Sequence, residues 1–240
     1  IPTVTGADTY TVSIKASKAG YVTKEITETV TIGKQVNTTG NLVLSETSGE
    51  ITYPTAKTFT VSKNVSNGTL SVKSSNENVA TATISGETVT ITPKAIASDG
   101  QKTTITVTSS STSNYEAQTT TYVATVNRGS ITINATPYTG KYDGSAHNAI
   151  TSISTTPTGT TIEYALGDGE YSTTMPTVTG ANTYTVHIRA NKAGYVEKEI
   201  SKTVTVEKSK TATAAAANKT FNGAAQIGVT GANITWTGTT

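Results

Sequence analysis

Apolar and polar residues alternate along most of this chain with a period of two, the spacing of side chains on one face of a strand. In residues 36–127 the alternation predicts seven strands: Asn41–Ser45, Lys57–Ser62, Thr69–Lys73, Val79–Ser85, Thr88–Thr92, Thr103–Thr108 and Thr119–Val126. Ser85-Gly86-Glu87 and Asp99-Gly100 supply turns between them. Short strands at this spacing are the pattern of a β-sandwich. The alternation continues in Ser130–Ala135, Thr160–Leu166, Gly169–Ser172, Thr183–Ala190 and Glu197–Val206, with Gly167-Asp168-Gly169 as a hairpin loop. No segment sustains a 3.6-residue period. The run Ala212–Ala217 is too short to nucleate a helix and Thr213 interrupts it, so it reads as a linker or a first strand.

The chain repeats itself. Residues 2–34, PTVTGADTYTVSIKASKAGYVTKEITETVTIGK, recur as 176–208, PTVTGANTYTVHIRANKAGYVEKEISKTVTVEK, with 24 of 33 positions identical at an offset of 174. A weaker echo sets Tyr142-Asp143-Gly144-Ser145-Ala146-His147 against Phe221-Asn222-Gly223-Ala224-Ala225-Gln226. The repeats divide the chain into a C-terminal half-module (1–35), a different complete module (36–127), a complete module of the first kind (128–208) and the N-terminal part of a further one (209–240). The expected fold is all-β: tandem immunoglobulin-like β-sandwich modules in an elongated array. The segmentation suggests a window cut from a longer array. The alternative is that the front piece of one chain complements the back piece of the next, head to tail.

Composition narrows the classes. There are 55 Thr and 22 Ser in 240 residues, and Thr is stiff at χ1 and favours a pleated surface. Without Cys there is no disulfide scaffold, thiolate metal site or thiol nucleophile. A net charge of +2 argues against a nucleic-acid binder, and no apolar run approaches the length of a membrane-spanning helix.

The stretches LSVKSSNENVATATISGETVTITPKA (70–95) and SNYEAQTTTYVATV (113–126) resemble the bacterial Ig-like group 2 family. PYTGKYDGSAHNAI (137–150) is similar to the tyrosine-aspartate-glycine type repeats found beside such domains, and 218–239 looks like the start of a related repeat. The resemblance implies β-sandwich modules of a large bacterial surface protein, with a phage virion as the alternative setting. It implies no catalytic residues and no cofactor. The expected role is a non-enzymatic stalk or spacer outside the cell. The alternatives are an adhesin module that binds a glycan or a host surface protein, and a virion or filament subunit that self-associates head to tail.

Candidate chemistry is sparse. His147 and His187 are the only histidines, and His187 stands where the first copy has Ser13, which argues against an essential role. Asp143-Gly144 and Gly167-Asp168-Gly169-Glu170 lack the alternating oxygens of a calcium loop and read as turns. Lys34 and Lys141 lie in polar contexts that disfavour an isopeptide bond. Asn37, Asn64, Asn67, Asn134, Asn218 and Asn233 begin glycosylation-type triplets that this Thr content produces by itself. Tyr21, Tyr115 and Tyr195 each precede a final strand, so each is expected to plug a sandwich end and bond backbone as a tyrosine corner does, with glycan stacking as the alternative. Trp236 is open between core and surface.

Overall fold

The computed structural model describes residues 2–36, 38–214, 219–226 and 234–237, with backbone alone at 211, 214, 234 and 236. It is all-β. It divides into two compact units, Ile1–Gly129 with Ala193–Tyr195, and Ser130–Lys192 with Val196–Thr240. No helix among the described residues is long and apolar enough to cross a membrane.

The first unit opens with a hairpin, β1 (Thr9–Ala16) and β2 (Lys24–Thr31), antiparallel with Tyr10 opposite Val30 and Ile14 opposite Ile26. Eight strands follow: β3 (Leu42–Leu44), β4 (Ser48–Thr52), β5 (Lys57–Asn64), β6 (Leu70–Ser74), β7 (Ala80–Ser85), β8 (Thr88–Pro93), β9 (Gln101–Ser109) and β10 (Gln118–Asn127). They form two four-stranded sheets, ordered β4-β10-β9-β6 and β3-β5-β8-β7. Alternate residues of each strand point into the space between the sheets. There Phe59, Val61, Val89, Ile91, Ile105, Val107, Tyr122 and Val126 make a continuous core. Phe59 and Tyr122 stack at its centre, rings 4.4 Å apart and 8° from parallel.

All seven expected strands of this sandwich form, with ends shifted by one or two residues. The pattern misses β4, which pairs in parallel with β10 along Ser48 to Thr52. Its sequence, SGEIT, contains a single large apolar residue, Ile51, so there is no alternation to read. Gly49 leaves room there for the Tyr122 hydroxyl and the Lys57 ammonium, both of which a Cβ would displace. Lys57 meets Glu46 at 3.0 Å, and this partner raises its pKa.

The remaining strands are β11 (Gly129–Ser130), β12 (Thr132–Pro137), β13 (Thr139–Lys141), β14 (His147–Asn148), β15 (Ile150–Thr156), β16 (Thr161–Leu166), β17 (Thr177–Val178), β18 (Thr183–Asn191), β19 (Tyr195–Val196), β20 (Lys198–Glu207), β21 (Thr211–Ala214) and β22 (Ile234–Thr237). In the second unit one sheet runs β13-β20-β18-β16, β12-β15 and β14-β17 form separate pairs, and β12 lies against β20. Ile133, Ile150, Tyr164, Val178, Val186, Ile188, Val204 and Val206 are buried within this unit. Gly169–Ser172, expected as a strand, contributes a single antiparallel bridge, in which Tyr164 and Ser172 exchange backbone bonds of 2.7 and 2.9 Å. The Gly167 turn that precedes it has φ +56°. Of the run 212–217, residues 212–214 lie in β21 and 215–217 fall outside the described residues.

Candidate interaction surface

The repeated sequence folds twice into the same hairpin. Thr9 pairs with Thr31 and Ile14 with Ile26, as Thr183 pairs with Thr205 and Ile188 with Ile200, the same positions at an offset of 174. Each copy carries the same tyrosine hook. The Tyr10 hydroxyl donates to the Thr5 carbonyl at 2.6 Å and lies 3.2 Å from that of Gly6, and the Tyr184 hydroxyl donates to the Gly180 carbonyl at 2.8 Å. The hook fixes the chain that enters the first strand.

The surroundings of the two hairpins differ. Ile14 is 50% exposed and its equivalent Ile188 is 0%. Val30 is 45% exposed against 0% for Val204, and Ile32 37% against 3% for Val206. In the second unit β12, which pairs with β15, packs against β20, β13 lies parallel on the outer edge of β20, and β16 pairs with β18. Around β1 and β2 the sheet stops at two strands, so two edges and one apolar face are open among the described residues. Moving a large aliphatic side chain from water into a core is worth about 1.5–3 kcal/mol. The open face therefore retains the drive that the second copy has already spent on its own core.

The covering layer also recurs in part. In the second unit the Asp143 carboxylate accepts the Ser145 amide at 2.8 Å and meets His147 Nε2 at 3.0 Å. The amide bond first, and the histidine second, hold the Asp143 pKa below its ordinary value. Near the other end of the chain Asn222 accepts the Ala224 amide at 3.2 Å and Gln226 Nε2 at 3.0 Å. Asparagine and glutamine thus rebuild in neutral form the turn that aspartate and histidine make. β21 and β22 pair antiparallel, like β12 and β15, but Ala212 stands opposite Trp236 where the offset from Tyr142 to Phe221 would place Ile234, so the register is shifted by two residues. Phe221, at the place of Tyr142, is 84% exposed.

The expected site residues scatter. Tyr195 packs edge-on against Tyr53, ring centroids 5.3 Å apart, beside Gly194, where a Cβ would stand 2.8 Å from the Tyr53 ring. Tyr115 is half-buried, and its backbone bridges Gln35. Tyr21 is 71% exposed, with Lys18 Nζ 5.2 Å from its ring, so the plug expected there is absent. Hydroxyl bonds to backbone belong to Tyr10 and Tyr184 instead. The spacing Gly6 to Tyr10 and Gly180 to Tyr184, shared by both copies, was the sequence signal for them.

His187 Nδ1 lies 3.0 Å from the Ser201 hydroxyl, and the His147 ring stacks on Tyr138 at 4.4 Å, so both imidazoles have structural partners. Among the described residues no three His, Asp or Glu side chains gather as a metal site. Lys34 and Lys141 are exposed. Asn37, Asn218, Asn233 and the Trp236 side chain fall outside the described residues.

No protein-family model matches the chain, and no curated protein matches it. Among solved structures it is similar to an endo-fucoidan hydrolase of glycoside hydrolase family 107, with 11% identity and TM-score 0.34 over 86% of this chain and 35% of that one. It is similar to Drosophila N-cadherin EC1-4, with 13% identity and TM-score 0.35 over 85% and 58%. Fibronectin(III)-like modules of Clostridium thermocellum CbhA give 12% identity and TM-score 0.27 over 70% and 94%. The chain spans 35% and 46% of the first two structures it matches, the hydrolase and a protocadherin gamma B2 fragment. The assignment to β-sandwiches rests on the strand order and buried faces described above.

Proposed function

We propose that this chain is a non-enzymatic spacer, a stretch of tandem Ig-like modules in an extracellular surface protein. The observation that carries this reading is the duplicated hairpin: one sequence of 33 residues, 24 of them unchanged, sets the same register and the same tyrosine hook twice. Duplication of a self-contained packing unit lengthens a rod without new chemistry. The Thr- and Ser-rich outer faces keep such a rod wetted at low charge, and a Cys-free chain folds alike in oxidising and reducing surroundings. The sequence likeness of 70–95 and 113–126 supports reading 36–127 as a bacterial Ig-like group 2 module. That of 137–150 supports reading 128–208 as a tyrosine-aspartate-glycine type repeat in the same setting.

Pulling a single chain from its two ends tests the proposal. A spacer gives a separate rupture for each sandwich, and it refolds on relaxation. Saturable retention of the same chain on a glycan array, or hydrolysis of a polysaccharide, would overturn it in favour of a binding or enzymatic module.

A further inference from the structure

Two Asn-Gly pairs stand in this sequence, Asn67-Gly68 and Asn222-Gly223, and the fold treats them in opposite ways. In such a pair the glycine nitrogen is within ring-closing reach of the asparagine Cγ, and no side chain crowds it. We propose that Asn222 is a self-modification site, at which the Gly223 nitrogen displaces the side-chain amide, and that the turn around it promotes this step while the fold at Asn67 blocks it. The proposal is separate from the spacer reading, which stands whichever way this one falls.

The Asn222 side-chain carbonyl is polarised by two donors. Its Oδ1 accepts the Ala224 amide at 3.2 Å and Gln226 Nε2 at 3.0 Å. Gln226 Nε2 also donates to the Thr220 carbonyl at 2.7 Å, which anchors the amide and keeps its other proton on Oδ1. Donors held on a carbonyl oxygen stabilise the negative charge that gathers there when a nucleophile adds to the carbon. Gly223 has φ +85°, and no described atom lies within 4 Å of where its Cβ would stand. The same openness holds inside the complete second module, where Gly144 is equally free of neighbours and the Asp143 side chain is 48% exposed.

At Asn67 the backbone is clamped. Its amide donates to the Asn64 carbonyl at 3.3 Å, and the Gly68 carbonyl accepts Asn64 Nδ2 at 3.1 Å. The Gly68 amide points at Ser66 Oγ, 3.4 Å away, and a Cβ on this buried glycine would collide with the Ser110 carbonyl. Asn67 itself is fixed at φ +52°. Attack there requires the turn to open first.

The step at Asn222 balances with water alone. The bond from the Gly223 nitrogen to Cγ forms, the bond from Cγ to Nδ2 breaks, and ammonia leaves with the proton that Gly223 gives up. Water then opens the cyclic imide at either carbonyl. Opening at Cγ leaves aspartate, the residue type that Asp143 supplies in the second unit. Opening at the main-chain carbonyl leaves isoaspartate, which lengthens the backbone of the turn.

The test ages the whole 240-residue chain at mildly alkaline pH and reads its tryptic peptides 64–73 and 220–240 by mass spectrometry. Fragment ions place each amide-to-acid conversion, and isoaspartate-specific methylation identifies the lengthened backbone. In the folded chain acid is expected to form at residue 222 faster than at 67 by about tenfold or more, and in urea, where neither turn exists, the ratio is expected to fall to about one. Gln226→Ala removes one donor and is expected to slow conversion at 222 by about threefold to tenfold, the worth of one hydrogen bond. Gln226→His is expected to keep the parent's rate, because His147 meets Asp143 from the same position in the second unit. Gln226 is exposed, so neither variant is expected to disturb a core. Equal rates at 67 and 222 in the folded chain overturn the proposal. So does a ratio that urea leaves unchanged, a Gln226→Ala chain that converts as fast as the parent, or a Gln226→His chain as slow as Gln226→Ala.

Discussion

The two tyrosine hooks show what one side chain does in this fold. Each phenol ties the segment entering a hairpin to the strand that follows, through a hydroxyl bond to a carbonyl four or five residues upstream. Tyr184→Phe removes the bond and keeps the ring. It is expected to cost about 1 kcal/mol, read as a lower urea midpoint for the second unit. Two carboxylates add a pH dependence. The Arg128 guanidinium, with its backbone amide, holds Asp99 below the ordinary carboxylate range, and the Ser145 amide with His147 does the same for Asp143. A carboxyl depressed in the folded state stabilises above its unfolded pKa, and that contribution is lost as pH falls through the folded value. Urea midpoints should therefore fall from about pH 5 downward. Asp99→Asn should be less stable than the parent at neutral pH and should lose less on acidification. A midpoint that falls equally in both proteins would remove Asp99 from the account.

At the scale of elements, the same strand position behaves differently in the two copies. Ile188 is fully buried in β18, while Ile14, its equivalent in β1, is half exposed. Ile188→Ala is expected to cost about 2–5 kcal/mol and Ile14→Ala no more than about 0.5 kcal/mol in the monomer, both measured by chemical denaturation. Equal costs would mean that the β1–β2 face is covered in the monomer as well. Legibility in the sequence varies from strand to strand. Strands whose inner positions are large and aliphatic, such as β9 with Ile105 and Val107, announce themselves by alternation. β4, β13 and β15 do not. β4 and β13 are short edge strands joined in parallel through Gly-containing segments, and the two isoleucines of β15, Ile150 and Ile153, stand three residues apart, so no period of two appears. The repeat itself was legible, and so was the division that leaves 1–35 as a half-module, the hairpin without the strands that lie on its twin. The three tyrosines were picked for their place before a final strand, but the hydrogen-bonding tyrosines stand at the start of β1 and β18, where an aromatic in an alternating run reads as core.

For the molecule as a whole, each sandwich builds its core from its own strands, so unfolding is expected to proceed in at least two steps rather than one. Differential scanning calorimetry checks this: a calorimetric enthalpy equal to the van't Hoff enthalpy of a single transition would refute it. The near-identity of the two hairpins has a further consequence for how the chain reaches its native state. During refolding, β12 and β15 meet two claimants for one seat: β18 with β20 close by in sequence, and β1 with β2 far upstream. From Ile153 the nearer claimant, at Ile188, is 35 residues away and the farther, at Ile14, is 139. Each doubling of a loop costs about 0.6 kcal/mol, so the fourfold difference favours the correct hairpin by about 1.2 kcal/mol. That leaves roughly one chain in eight to close first on the wrong one and to escape only by reopening. A slow refolding phase of that amplitude, abolished by Ile14→Glu, is the expected kinetic signature of a protein that carries a decoy of its own core.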